Sequence, residues 1–384
     1  MYPTEAQRAS LESNFGSCRW LWNHCLEISQ KTYRETGKSL SWIDLINLLP
    51  EMKKHEETSW LKETYSQALQ MTCRNLSQAY INFFEKRAKY PRFKKKSSEQ
   101  SIQFPQGVRI EGEKIQIPRI GKVRFVQDRT FEGKMKTVTV RKKPSGRYFV
   151  SILVDDGQPE PTPSTHGRVI GLDLGLTTFV ATSEGSKFNK PNIKRYEQLL
   201  KRRQRHLARK RKGSKGRDKA RIQVAKVYEK IQNVRKDFLH KLSTKLVNEN
   251  QVLVFEDLNV KGMTQNHCLA KAIQDSSWST FVTMCQYKAR WTGKVVLKVD
   301  RWFPSSQLCH RCYHQQKLSL SDRFWTCSKC GERHDRDVNA SINLREEGKR
   351  VMAGGEPVTA DGRSVRPRGR RKFTKGQDRL KSET

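Results

Sequence analysis

"VIGLDLGLTTFVAT", residues 169–182, places an acid, Asp173, between two apolar runs and two residues before Gly175. The stretches "RVIGLDLG" and "TFVATSEG" read as adjacent strands. A carboxylate at the end of a buried strand is costly to desolvate, so it needs a partner or a task. Two long basic helices are predicted next, over 194–212 and 218–249, separated by "GSKGR". The strand "QVLVFED" (251–257), a helix around 275–291 and the strand "KVVLKVD" (294–300) complete the pattern. Strands alternating with helices predict an α/β layer. In open α/β sheets, sites form at the carboxyl ends of the strands. Glu256 and Asp257 end the second apolar strand, where an acid can share a pocket with Asp173, and Asp337 in "HDRDVNASINL" opens an apparent helix and supplies a third carboxylate.

Lys and Arg total 76 against 39 Asp and Glu, a formal net charge of +37. Such a field calls for a polyanionic partner. A bilayer is disfavoured, because the sequence has no apolar run of about 18 residues and no apolar leader segment. Nucleic acid remains, and the run "KRRQRHLARKRKGSKGRDKAR" (201–221) reads as a track for phosphates. Converging acids in so basic a chain require a neutralising cation. Two Mg²⁺ ions about 3.5–4 Å apart, held by shared carboxylates, are the usual device for phosphodiester hydrolysis. A lone D-x-G also suits a turn, or the phosphate-site acid of an actin-like or sugar-kinase ATPase. The trio favours the nuclease.

Residues 5–89 read as helical, with Leu11, Phe15, Cys18, Trp22 and Cys25 recurring at three- and four-residue steps. The aromatic stripe of Trp20, Trp22 and Phe83 reads as core rather than a base-stacking platform. Prolines, glycine and serines break the period over 90–107, after which "KIQIPRIGKVRF", "KTVTVRKK" and "GRYFVSILVDD" alternate as strands. The proline-rich "GQPEPTPSTHG" (157–167) marks a linker, and the polar, basic 353–384 reads as a disordered tail.

Four of the nine cysteines form two C-x-x-C pairs, "CHRC" (309–312) and "CSKC" (327–330), separated by the 14 residues 313–326. Paired thiolates at this spacing make a closed tetrahedral zinc site from Cys309, Cys312, Cys327 and Cys330, with a short hairpin through "FWTC". His310, His314 and His334 read as bystanders. Cys18, Cys25, Cys73, Cys268 and Cys285 sit among apolar neighbours and read as buried thiols in a reducing compartment.

"YPT" (2–4), "FGSCRWLWN" (15–23), "YPRFKKK" (90–96), "GLDLGLTTFVATSEG", "FEDLNVKGM" (255–263), "VDRWFPSSQLCHRC" and "DRDVNASINL" together resemble TnpB, the RNA-guided nuclease of insertion sequences, often labelled a transposase. The resemblance runs from residue 2 to about 350. It implies a multidomain α+β protein whose RuvC-like (RNase H fold) nuclease domain carries an inserted four-cysteine zinc ribbon, preceded by a wedge β-barrel and a helical recognition unit. The implied division is a helical recognition unit 1–89, wedge barrel 90–160, linker 161–167, RuvC-like domain 168–300 and 334–352, zinc ribbon 301–333, then the tail. By motif, Asp173, Glu256 and Asp337 become the magnesium-binding catalytic triad, while Asp257 and Asp335 are left as local capping or hydrogen-bonding neighbours. The resemblance also implies two Mg²⁺, one structural Zn²⁺, a guide RNA from the transposon end and cleavage of double-stranded DNA beside a short target-adjacent motif, as in type V CRISPR effectors. A monomer acting at the nucleoid in a bacterial or archaeal cytoplasm follows. Family members carry a strand ahead of the "YPT" stretch, so the expectation here is a wedge barrel with an open edge. The rival readings are a nuclease-inactive RNA-guided regulator and a transposase or accessory protein of transposition.

Overall fold

The computed structural model describes residues 1–319 and 321–354, so the expected tail lies outside the described residues apart from its first two. The chain divides into two units, Met1–Pro159 with Lys194–Ile231, and Glu160–Ile193 with everything from Gln232 onward.

The first unit opens with helices α1 (Glu5–Thr36), α2 (Trp42–Asn47), α3 (Leu49–Lys54) and α4 (Ser66–Phe84). Helix α1 begins where Thr4 and Gln7 close a capping box, the Gln7 N–H donating to Thr4 Oγ1 and the Thr4 N–H to Gln7 Oε1. Strands β1 (Gln100–Phe104), β2 (Arg109–Glu111), β3 (Lys114–Ile117), β4 (Gly121–Arg124), β5 (Lys134–Lys142) and β6 (Tyr148–Asp155) follow. They form two antiparallel sheets, ordered β1-β5-β6 and β2-β3-β4, and Tyr2 adds a single bridge to Arg124. Phe15, Leu21 and Leu69 of the helices share one core with Phe104, Ile115 and Val140 of the strands. Helices and strands therefore do not form separate cores on either side of residue 89. Strand β1 lies inside the stretch read as a break: Ile102 and Phe104 bury their side chains and pair it to β5, but Pro91, Ser97, Ser98 and Pro105 mask so short an alternation.

Two of the quoted motifs meet in this unit. Trp22 is buried and its indole N–H donates to Arg92 O at 3.0 Å, while Asn23 exchanges hydrogen bonds with the Lys94 backbone. "FGSCRWLWN" thus holds "YPRFKKK" in place. Trp22 is core as expected, whereas Trp20 and Phe83 are only half-buried.

Continuing along the chain are β7 (Val169–Leu174), β8 (Val180–Thr182), β9 (Lys187–Phe188), α5 (Lys194–Ala208), α6 (Lys215–Glu249), β10 (Val252–Glu256) and α7 (Val260–Met263). Next come α8 (His267–Ser276), α9 (Trp278–Trp291), β11 (Val295–Val299), β12 (Phe324–Thr326), β13 (Arg333–Asp335) and α10 (Arg336–Met352). The helix predicted around 275–291 is α9, and Ser277, with φ of 55°, separates it from α8. Cys268 is exposed, not buried: it lies in the first turn of α8, which turns Ile273 inward instead. Among the described residues no helix is long and apolar enough to cross a membrane.

The second unit is built on a five-stranded sheet ordered β11-β10-β7-β8-β9, with β11, β10 and β7 parallel and the β8–β9 hairpin antiparallel. Because side chains alternate along a strand, each face has its own cover. Ile170, Leu172, Leu253 and Phe255 pack against Leu242 of α6 and Phe281 of α9. On the opposite face Val252 and Val254 pack against Leu344 of α10. Gly171 permits that approach, since a Cβ there would lie 1.8 Å from the Ser341 carbonyl oxygen.

Candidate active site and four-cysteine metal centre

In the parallel register Leu172 lies beside Phe255, which sets Asp173 and Glu256 next to each other at the carboxyl ends of β7 and β10. Alternation turns both away from the Leu172–Phe255 face and toward α10. Asp337 is the second residue of α10, so all three acids meet at one edge of the sheet. Burial, then the nearby charges of Asp337 and Glu256, push the Asp173 carboxyl up to about 7. Burial and the neighbouring Asp257 push Glu256 up to about 7.

The other two acids have ordinary local work. Asp335 caps α10, accepting the Val338 N–H at 3.2 Å, and pairs with Lys187 at 2.7 Å. Asp257 pairs with Lys298 at 2.9 Å and Arg301 at 3.7 Å. Two cations escaped the sequence reading: Lys187 Nζ and an Arg323 guanidinium nitrogen each lie 3.9 Å from a separate oxygen of Asp337. Nothing in the local sequence signals them. Lys187 arrives on the short edge strand β9, and Arg323 is brought to the start of α10 by its carbonyl, which accepts the Arg336 N–H at 2.9 Å.

The four cysteine sulfurs lie within 4.8 Å of one another, the one such gathering of metal-donor atoms among the described residues. Two turns with the same hydrogen bonds build it. Tyr313 N–H donates to Cys309 O and Gly331 N–H to Cys327 O, while Cys309 N–H donates to His314 O and Cys327 N–H to Glu332 O. The residue after each C-x-x-C is left-handed, Tyr313 at φ 56° and Gly331 at φ 72°. Across the turns, Cys309–Cys330 and Cys312–Cys327 sulfurs are 3.6 Å apart. A tetrahedron with Zn–S bonds of about 2.3 Å has edges of about 3.8 Å, whereas a disulfide needs about 2.05 Å. The donor set therefore fits zinc.

The expected hairpin is present, with Trp325 opposite His334 in the β12–β13 pair. His334 stays outside the four-sulfur donor set, as expected, but it packs beside it: it is buried, its Nε2 lies 3.1 Å from Cys309 Sγ, and its ring packs on His310 and Trp325. His310 hydrogen-bonds Asn339, and His314 hydrogen-bonds Ser328. Asn339 and Asn343, both buried on α10, donate side-chain N–H groups to Leu308 O, and Asn343 also donates to Ser305 O. The helix that presents Asp337 is thus anchored to the first cysteine turn.

Fold and sites together define an α/β protein with clustered acids at a sheet edge and an attached four-cysteine ribbon. Residues 150–267 match the family model described as "Probable transposase", residues 278–344 that of the "Cas12f1-like, TNB domain", and residues 1–38 a "Helix-turn-helix domain". A Streptomyces pristinaespiralis protein named "Putative RNA-guided DNA endonuclease" is 39% identical, over 100% of this chain and 94% of its own length. The Escherichia coli K12 protein "Putative RNA-guided DNA endonuclease InsQ" is 32% identical, over 93% of this chain and 92% of its own. The chain belongs to the TnpB family. A cryo-EM structure of a Cas12f1–sgRNA–target DNA complex shares the fold, with a TM-score of 0.54 at 12% identity, covering 88% of this chain and 82% of that one.

Proposed function

We propose that this protein is a transposon-encoded, RNA-guided DNA endonuclease in which Asp173, Glu256 and Asp337 hold Mg²⁺ at the edge of a RuvC-like sheet. One observation carries the reading: three acids gather on one face, and burial together with neighbouring carboxylates pushes two of them, Asp173 and Glu256, up to about 7. A divalent cation supplies the compensating charge in a chain of net charge +37. Bound there, two Mg²⁺ ions supply the activation of water and the stabilisation of the leaving oxygen in phosphodiester hydrolysis.

The chain's own residues orient this chemistry. The β7–β10 register fixes Asp173 and Glu256 relative to one another, and the ribbon-anchored α10 presents Asp337. Lys187 and Arg323, close to Asp337, offer positive charge to the phosphate of an approaching strand. The four cysteines hold a structural zinc. The names of the relatives support a guide RNA and a DNA target; in an RNA-guided endonuclease of this kind the protein itself would read a short motif beside the target. The small antiparallel sheets of the first unit would form the wedge, and its helices the recognition unit.

The test is to co-express the chain with the transcript of its transposon end, purify the complex and present a guide-matched plasmid library with randomised flanks. Cutting that requires RNA, Mg²⁺ and a particular flank is expected. Stable RNA and target binding without cutting, in zinc-loaded folded protein, would replace this reading with a nuclease-inactive regulator.

A further inference from the structure

We infer that the open cleft between α5 and α6 seats backbone phosphates of a bound RNA; that this RNA is the guide rests on the endonuclease reading. The cleft has a volume of about 490 Å³ and is lined by Arg195, Tyr196, Gln198, Leu199 and Arg202 of α5 and by Lys230 of α6, all within the first unit. Positions 195, 198, 199 and 202 recur at three- and four-residue steps, so one face of α5 brings both guanidinium groups to the same cleft. No residue of α5 is buried, which leaves that face to a partner.

The lining selects a polyanion. No acid lines the cleft, and its three cations form no ion pair with a carboxylate among the described residues. Lys230 Nζ lies instead over the Tyr196 ring, 5.3 Å from its centroid. The acid beside it in sequence, Glu229, turns inward: it is 5% exposed, with its carboxylate 3.6 Å from Lys143 Nζ and 4.0 Å from Arg147 Nε. Glu229 thus ties α6 to the turn between β5 and β6 and leaves the Lys230 charge to the cleft. The far end of α5 is held to the same hairpin, Gln204 Nε2 donating to Tyr228 Oη at 2.8 Å and the Arg217 guanidinium to Leu207 O and Lys210 O. The cations therefore stand in place before a ligand arrives, and guanidinium groups match phosphate oxygens. Tyr196 and Leu199 offer an apolar wall to the adjoining ribose. RNA is favoured over DNA because a chain of net charge +37 repels itself and is best offset by a resident polyanion. A guide stays bound while targets are exchanged.

The test titrates salt against the affinity of the full-length, zinc-loaded chain for the labelled transcript of its transposon end. Replacing the three cations together, as Arg195→Ala, Arg202→Ala and Lys230→Ala, should weaken binding at least about tenfold and lower the slope of log affinity against log salt by about 2, the release expected for three phosphates. All three side chains are exposed, so the fold is kept. Arg195→Lys with Arg202→Lys keeps the charge and should keep the slope. An unchanged slope in the triple Ala variant overturns the inference. So does a slope that falls for a DNA duplex and not for the RNA, which assigns the cleft to DNA. Loss of RNA affinity in the variant, from a wild type that cuts no DNA with any guide, would keep the phosphate seat and remove the endonuclease reading. Guided cutting with an unaltered slope would do the reverse.

Discussion

The cysteine ribbon and the acid-bearing sheet edge lie in the same unit, yet they are assembled by opposite means. In the ribbon, each turn contributes two sulfurs from residues three apart, and its own backbone hydrogen bonds set their geometry. At the sheet edge, acids from positions 173, 256 and 337 meet only because a parallel register and a packed helix bring them together. The ribbon's donors close to within 4.8 Å, whereas the acids stand as mutually repelling neighbours with Asp337 beside two cations. Local sites organise themselves; this distant one depends on the packing beneath it.

That contrast can be broken at graded points. The largest effect is expected at the acids themselves: Asp173→Ala should lower the rate of guided cutting by at least about 1000-fold, while guide RNA affinity, measured by filter binding, changes less than about twofold. Equal loss of both would show that the acid serves the fold or the RNA instead. Next, Gly171→Ala should push α10 off β7, because its Cβ would meet Ser341 O at 1.8 Å. An unfolding loss of about 3 kcal/mol or more is expected by denaturant titration, with zinc content preserved. A smaller effect separates the two regions directly. Asn339→Ala removes one donor to Leu308 O and the partner of His310, at a cost of about 1–3 kcal/mol. Cutting should fall while one zinc per chain remains; unaltered cutting would mean that the ribbon does not position Asp337.

The smallest expected effect is a pH dependence of the metal-free protein. Asp173 has its carboxyl raised to about 7 on folding, so its protonated form favours the folded state. That contribution is complete below the unfolded value of about 4 and is lost as pH rises through about 7. Asp173→Asn should therefore gain about 3 °C in melting temperature over the wild type above pH 7, and less toward pH 5. Mg²⁺ should narrow the gap. A constant offset across pH would remove the electrostatic explanation.

The same division explains what could be read before the fold was known. C-x-x-C spacing is a local signal, and it named all four sulfurs. Asp173 and Glu256 were legible because each ends an apolar strand, and Asp337 because it opens a helix. Lys187 and Arg323 were not, since their approach depends on an edge strand and on a backbone contact between β12's approach and α10. The packing of His334 against Cys309 was not legible, because it depends on the β12–β13 pairing. The sheet order and the exposed position of Cys268 likewise reflect which faces are covered, which periodicity alone does not encode. The helix expected around 275–291 is present as Trp278–Trp291, and only its start is shifted, to the residue after the left-handed Ser277.

Asp173, Glu256 and Asp337 are proposed to make a divalent-cation site together. The most direct measurement is electron paramagnetic resonance of Mn²⁺ titrated into the zinc-loaded protein. A spin-coupled Mn²⁺ pair is expected in the wild type, lost in Asp173→Ala and in Glu256→Ala. Mn²⁺ binding that is absent from the wild type, or unchanged in both variants, would contradict it.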